Sequence, residues 1–247
     1  MLHRTHHLSG HLTRRASLLL GLLFLLALAP RAARLWQGRA APLTGDAIEY
    51  HSLGRSLAQG HGYLGQGGNP MIVANAPEPT AFRTPTLPLF VAAHEWARAR
   101  LFSAGDDEHA LWPRASLVLL NAAAAPLLVL ALRRRRGADP RVPWMAGLLF
   151  ALWPESLASF YQSDLLLAES LALPLLVALM YVQGREGRGA RLVCGALLGA
   201  LILLRAFLVL LVPLLLLTAL AAGRRDLLRR TLAAAAVAAV LVLPWSL

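Results

Sequence analysis

Asp46 and Glu49 stand three residues apart in the run Gly45-Asp46-Ala47-Ile48-Glu49-Tyr50, in a chain with only 13 acidic residues against 24 basic ones, all arginine. Helical spacing of three places both carboxylates on one face. The pair follows directly on the first apolar segment and precedes a long polar stretch, which suggests chemistry rather than a spacer. Two further ionisable positions stand out because apolar residues surround them. Arg205 lies near the middle of the apolar stretch 192–222, and Glu169 follows Leu166-Leu167-Ala168. A charge at membrane depth is costly unless it faces a cavity or a partner.

These residues need a scaffold, and the composition points to a membrane. The chain has 247 residues, is 57% hydrophobic and 15% charged, and has a mean hydropathy of +0.56. Apolar stretches close to the roughly 20 residues that cross a bilayer recur along it. The fold expected is all-α and polytopic, with about seven transmembrane helices at 16–36, 112–132, 143–160, 165–182, 191–204, 207–222 and 231–245. The long external loop 37–111 carries two helix-like patches, about 45–59 and 87–102, the second amphipathic and suited to the interface plane. Residues 1–30 have signal-peptide character, but the apolar run resumes past Pro30, so an uncleaved anchor is expected.

The stretch 192–222 would measure about 46 Å as one helix, against a hydrocarbon core of about 30 Å. One crossing would also put the basic run 223–230 outside. Two short crossings return it to the cytoplasm and leave Arg205 at the outer turn. With the amino terminus inside, the arginine clusters fall on the cytoplasmic side, as the positive-inside rule requires. Only Asp139, Glu186 and Asp226 join them, and the other acids fall outside. This distribution accounts for the net charge of +11 without nucleic acid, and the location expected is a bacterial cytoplasmic membrane. Cys194 is the single cysteine, so no intrachain disulfide is possible. His3, His6, His7 and His11 read as a solvated tail, and Asp106-Asp107-Glu108 as a solvated loop. No phosphate-binding P-loop, GxSxG or HExxH pattern occurs.

Several motifs together resemble one family. Gly45-Asp46-x-x-Glu49-Tyr50, Leu57-Ala58-Gln59-Gly60-His61-Gly62-Tyr63 and Arg83-Thr84-Pro85-Thr86-Leu87-Pro88-Leu89-Phe90 are similar to the first external loop of GT-C membrane glycosyltransferases. The nearest group is the family 39 type, the relatives of protein O-mannosyltransferases and aminoarabinose transferases. Leu152-Trp153-Pro154, Leu166 to Ser170, Gly195 to Gly199 with Arg205, and Pro244-Trp245 follow in the expected order. The family's loop usually carries Arg-Pro-Pro and a Tyr before its last Pro, where Thr84 and Leu87 stand here. Family members usually continue beyond the Pro-Trp element, so the expectation is a seven-span GT-C core with the carboxyl-terminal part missing.

The resemblance implies transfer of a sugar from a polyprenyl-phosphate donor to a hydroxyl of a glycolipid, polysaccharide or protein acceptor outside the membrane, with inversion. Asp46 is then the candidate base, with Glu49 as an orienting or metal-binding partner; the alternative is that Asp46 caps a helix. Arg205 and Arg83 are candidates for the leaving phosphate; the alternative for Arg205 is a structural pair with Asp164 or Glu169. Glu169 and Asp164 form the second acidic position. A divalent cation, Mg²⁺ or Mn²⁺, would be held by Asp46 and Glu169. His61, Tyr50 and Tyr63 are candidates for touching substrate. The rival functions are a transporter or flippase, and a non-catalytic membrane partner.

Overall fold

The computed structural model describes residues 14–65, 78–79, 83–102, 109–134, 139–153 and 166–246. These are almost wholly helical: α1 (Arg14–Gln37), α2 (Asp46–Ala58), α3 (Thr86–Leu101), α4 (Leu111–Arg133), α5 (Arg141–Leu152), α6 (Ala168–Gln183), α7 (Arg188–Ile202), a 3₁₀ turn (Ala206–Leu210), α8 (Leu211–Ala221) and α9 (Arg225–Ser246). A minimal antiparallel ladder pairs β1 (Leu64–Gly65) with β2 (Glu78–Pro79) inside the polar loop.

Three helices, α1, α4 and α9, are long and apolar enough to cross a membrane. Many of their large apolar side chains, Leu18, Leu22, Leu119 and Val240 among them, face outward, as lipid contact requires. The other apolar helices are shorter. The span expected at 143–160 is helical only to Leu152, where Trp153 turns to φ −59° and ψ 120°; residues 154–165 lie outside the described set. The span expected at 165–182 begins at Ala168. The one expected at 231–245 begins at Arg225, because the basic run continues the helix. The stretch 192–222 is broken as expected, between Ile202 and the 3₁₀ turn.

Helix directions follow from the contacts. An added Cβ at Gly195 would meet Ala234 and Val237, and one at Gly199 would meet Ala238 and Leu241, so α7 and α9 run parallel. Parallel neighbours require the chain between them to double back, which α8 does. Asn121 donates to Ser170 O at 2.6 Å, while Arg134 lies 4.4 Å over the Tyr181 ring, so α4 and α6 are parallel too. Arg114 donates to Gly38 O at 3.0 Å, and Val118 packs against Leu28 and Leu35; α1 therefore runs against α4.

Elements of alternating direction thus collect two kinds of end. At one lie the last turns of α1, α5, α7 and α9 and the first turns of α4 and α6. Arg31, fully buried, seals this end by donating to Ala27 O at 2.7 Å and Ala151 O at 3.1 Å. It thereby satisfies a carbonyl that the end of α5 would leave open. A core of Ala47, Tyr50, Leu87, Val91, Leu117, Leu166, Leu171 and Leu204 joins the polar-loop helices to the same end.

Candidate functional site

Asp46 is the first residue of α2, and no side chain caps that helix; its N-cap is Gly45, at φ 55°. The Asp46 carboxylate turns sideways instead. Arg83 Nη1 donates to Asp46 Oδ2 at 3.0 Å and Nη2 to Oδ1 at 2.5 Å, while Nε donates to Glu49 Oε2. One guanidinium therefore binds both carboxylates, one of them in the two-pronged geometry that only arginine offers. Burial pulls the Arg83 guanidinium down, but the hydrogen bonds and charges of Glu49 and Asp46 outweigh it and hold it above its ordinary value. Arg83 is 15% exposed and Glu49 19%, whereas Asp46 is 42% exposed. Asp46 is the member of the cluster that solvent or a substrate can reach.

The backbone around Arg83 is held on both sides. Tyr63 Oη donates to Arg83 O at 2.8 Å. Thr84 Oγ1 donates to Leu204 O at 2.7 Å, Thr86 Oγ1 to Ala200 O at 2.9 Å and Thr86 N to Leu203 O at 3.3 Å. Carbonyls at the end of a helix lack intrahelical donors, and these two threonines supply donors for the end of α7.

The same joint places Arg205 beside the cluster. Its guanidinium donates to the Glu169 carboxylate on the first turn of α6. The Nε of Arg205 is buried and has no acceptor among the described residues. Between the two ion pairs stands Tyr50, 2% exposed, with Arg83 Cζ 5.4 Å from its ring centroid. Burial pushes the Tyr50 hydroxyl up; Arg205 and Arg83 oppose that, and Asp46 and Glu169 reinforce it. One phenol thus feels all four charged groups.

Asp46, Glu49, Arg83, Tyr50, Arg205 and Glu169 therefore converge. His61 does not join them; it lines a separate cavity on the other face of α2. Asp164 lies outside the described residues. Tyr63 is committed elsewhere: besides its bond to Arg83 O, its ring meets Trp245 edge-on, at 4.9 Å between centroids, and burial pushes its hydroxyl up. Among the described residues the acidic side chains of this site are engaged by arginine, and no group of three or more His, Cys, Asp or Glu is arranged to hold a metal ion. Arg83 occupies the Asp46–Glu49 pair, and Arg205 takes an oxygen of Glu169.

The buried trio His51, Glu95 and Arg98 escaped sequence reasoning. Glu95 Oε1 lies 3.6 Å from His51 Nε2, and Arg98 Nη2 donates to Glu95 Oε2 at 3.0 Å. The i, i+3 spacing of Glu95 and Arg98 was the available signal. No family model matches this chain, and no curated protein or solved structure is significantly similar to it.

Proposed function

We propose that this chain is a membrane glycosyltransferase that moves a sugar from a polyprenyl-phosphate donor to an acceptor hydroxyl on the extracytoplasmic face of a bacterial cytoplasmic membrane, with inversion at the anomeric carbon. The observation that carries the reading is the convergence of the Asp46–Glu49–Arg83 and Arg205–Glu169 groups around Tyr50, at the end of apolar helices. A lipid-linked donor needs its phosphate at such an end, with its tail along the helices.

Asp46 takes the proton of the acceptor hydroxyl as that oxygen attacks the anomeric carbon. The bond from that carbon to the phosphate oxygen breaks on the opposite face, and the electron pair leaves with the polyprenyl phosphate. Arg83 aims Asp46 through two hydrogen bonds, and Glu49 holds Arg83. Arg205, whose side chain is 32% exposed, meets the charge developing on the phosphate. Tyr50 fixes the spacing between the two guanidinium groups. No covalent sugar–enzyme bond is needed, so positioning and proton removal supply the rate.

The test is release of polyprenyl phosphate from a radiolabelled polyprenyl-phosphate hexose by the purified full chain in liposomes, with and without a hydroxylated acceptor lipid. Acceptor-dependent release, lost in Asp46→Asn, is the expected result. Release that Asp46→Asn leaves untouched removes Asp46 from the chemistry. Transbilayer movement of the intact donor without cleavage replaces the transferase reading with a flippase.

A further inference from the structure

The face of α2 turned away from Asp46 and Tyr50 borders a partly open cavity of about 580 Å³. Small-molecule sites typically measure roughly 300–1,000 Å³. Its ionisable lining is Arg55, His51, His61 and His109, accompanied by Ser52 and by apolar side chains such as Ile48. No Asp or Glu is among the described residues that line it.

The wall is built. His61 sits on a turn closed by its own N–H to Ser56 O at 3.0 Å and by Ser56 Oγ to Gly62 O at 2.9 Å. Gly60 and Gly62, at φ 79° and 87°, allow that turn. His109 is anchored through its carbonyl by Arg114, which is 1% exposed and also holds Gly38 O. His109 Nδ1 is buried and has no partner among the described residues. His51 is backed, from outside the lining, by Glu95 at 3.6 Å, which orients the imidazole.

We propose that this cavity binds a phosphate monoester carried on a hydroxylated group, either a soluble sugar phosphate or a phosphomonoester lipid headgroup. Such a phosphate carries nearly two negative charges and three strong acceptor oxygens at neutral pH. The Arg55 guanidinium offers it charge and N–H donors and the imidazoles offer further N–H donors, where a lone carboxylate would leave donors unused. Ser52 meets a hydroxyl, and the apolar wall meets the ring or alkyl face. The site is separate from Asp46 and does not rest on the transfer reaction.

Isothermal titration of the detergent-solubilised full chain with glucose 6-phosphate and with glucose, and flotation with vesicles containing phosphatidic acid or only phosphatidylcholine, test it. Saturable binding of glucose 6-phosphate but not glucose, weakened at least tenfold in Arg55→Gln and in His61→Gln, is the expected result for a soluble ligand. Binding to phosphatidic acid vesicles alone, with the same two variants weakened, assigns the lipid headgroup. Arg100→Gln removes an equal charge from outside the cavity, where Arg100 covers Trp96 at 4.2 Å, and should change neither. Equal weakening by Arg100→Gln, equal binding of glucose, or binding of neither phosphate overturns the proposal.

Discussion

The two ends of the helical assembly are both rich in arginine, yet they handle charge differently. At one end Arg83 and Arg205 are locked to Asp46, Glu49 and Glu169 around a buried tyrosine. At the other, Arg134 and Arg185 share the exposed Tyr181 hydroxyl, and Arg230 reaches a Glu186 that is 82% exposed. Both pairings satisfy the same electrostatics. Only the Asp46–Glu49–Arg83 cluster is held in one geometry, because Thr84 and Thr86 tie the segment after Arg83 to the end of α7 and Tyr63 donates to the Arg83 carbonyl. The second end carries charge without fixed placement. Exposed pairs of that kind contribute little to stability.

The largest effect that would break this comparison is at Asp46. Asp46→Asn keeps the size and one acceptor for Arg83 but removes the proposed base. Transfer should fall by roughly 100-fold or more, the usual worth of a positioned base, with an unchanged unfolding midpoint. Arg83→Ala should fall at least as far, because it releases both carboxylates. Matching losses from Glu186→Gln or Arg230→Gln would show that the two ends do not differ.

A structural break comes next. Gly54 of α2 faces α3 so closely that an added Cβ would lie 2.4 Å from Val91 Cγ1 and 3.1 Å from Pro88 O. Gly54→Leu should therefore part the two helices that frame the site, at a cost of about 1–3 kcal/mol or more. A thermal melt of the detergent-solubilised protein reads it, and activity should be lost with it. Gly189, with open space at its Cβ, is the matched control at the basic end; Gly189→Leu should leave the melt unchanged.

Arg205 sharpens the comparison at intermediate size. Its partner Glu169 is 55% exposed, so the pair stabilises little and its removal is tolerated by the fold. Arg205→Ala should raise the donor KM by roughly tenfold or more, in line with losing a charge-assisted donor to phosphate, while protein level in the membrane stays constant. A loss of protein equal to the loss of binding would make Arg205 a strut.

Much of this end was legible in the sequence. The helix patches expected at 45–59 and 87–102 are Asp46–Ala58 and Thr86–Leu101, since local periodicity and flanking glycine and proline mark them. The break at Arg205 was legible because a length argument does not depend on tertiary contact. The pairing of Arg83 with carboxylates 34 and 37 residues earlier was not, because spacing carries no record of which loop folds back. Arg31 and Asn121, inside apolar helices, were missed for the same reason: their acceptors are carbonyls of other helices, and carbonyls have no sequence signature. His61 belongs to a second motif of the same loop, and the turn after α2 sets it at the cavity on the other face of that helix.

The smallest expected effect concerns two glutamates that share chemistry and differ in burial. Both lie below their ordinary value, about 4.5, Glu95 through His51 and Arg98 and Glu186 through Arg230. For Glu95, burial works against the charge, but the nearby His51 imidazole and the hydrogen bond and charge of Arg98 outweigh it; for Glu186 the hydrogen bond and charge of Arg230 lead, with a smaller pull from Arg224. A depressed carboxyl binds fewer protons folded than unfolded at moderate acidity. Stability from it is therefore present above about pH 4.5 and lost as pH falls through the lower folded value. Glu95 is 6% exposed and clamps α2 to α3 through His51, so its loss is felt by the fold. Between pH 5 and pH 3 the unfolding midpoint should drop in the native chain and drop less in Glu95→Gln, which starts lower at pH 7. Glu186→Gln should trace the native curve throughout. An identical acid response in Glu95→Gln would mean that the buried pair does not couple to folding, and that burial is not what separates one end from the other.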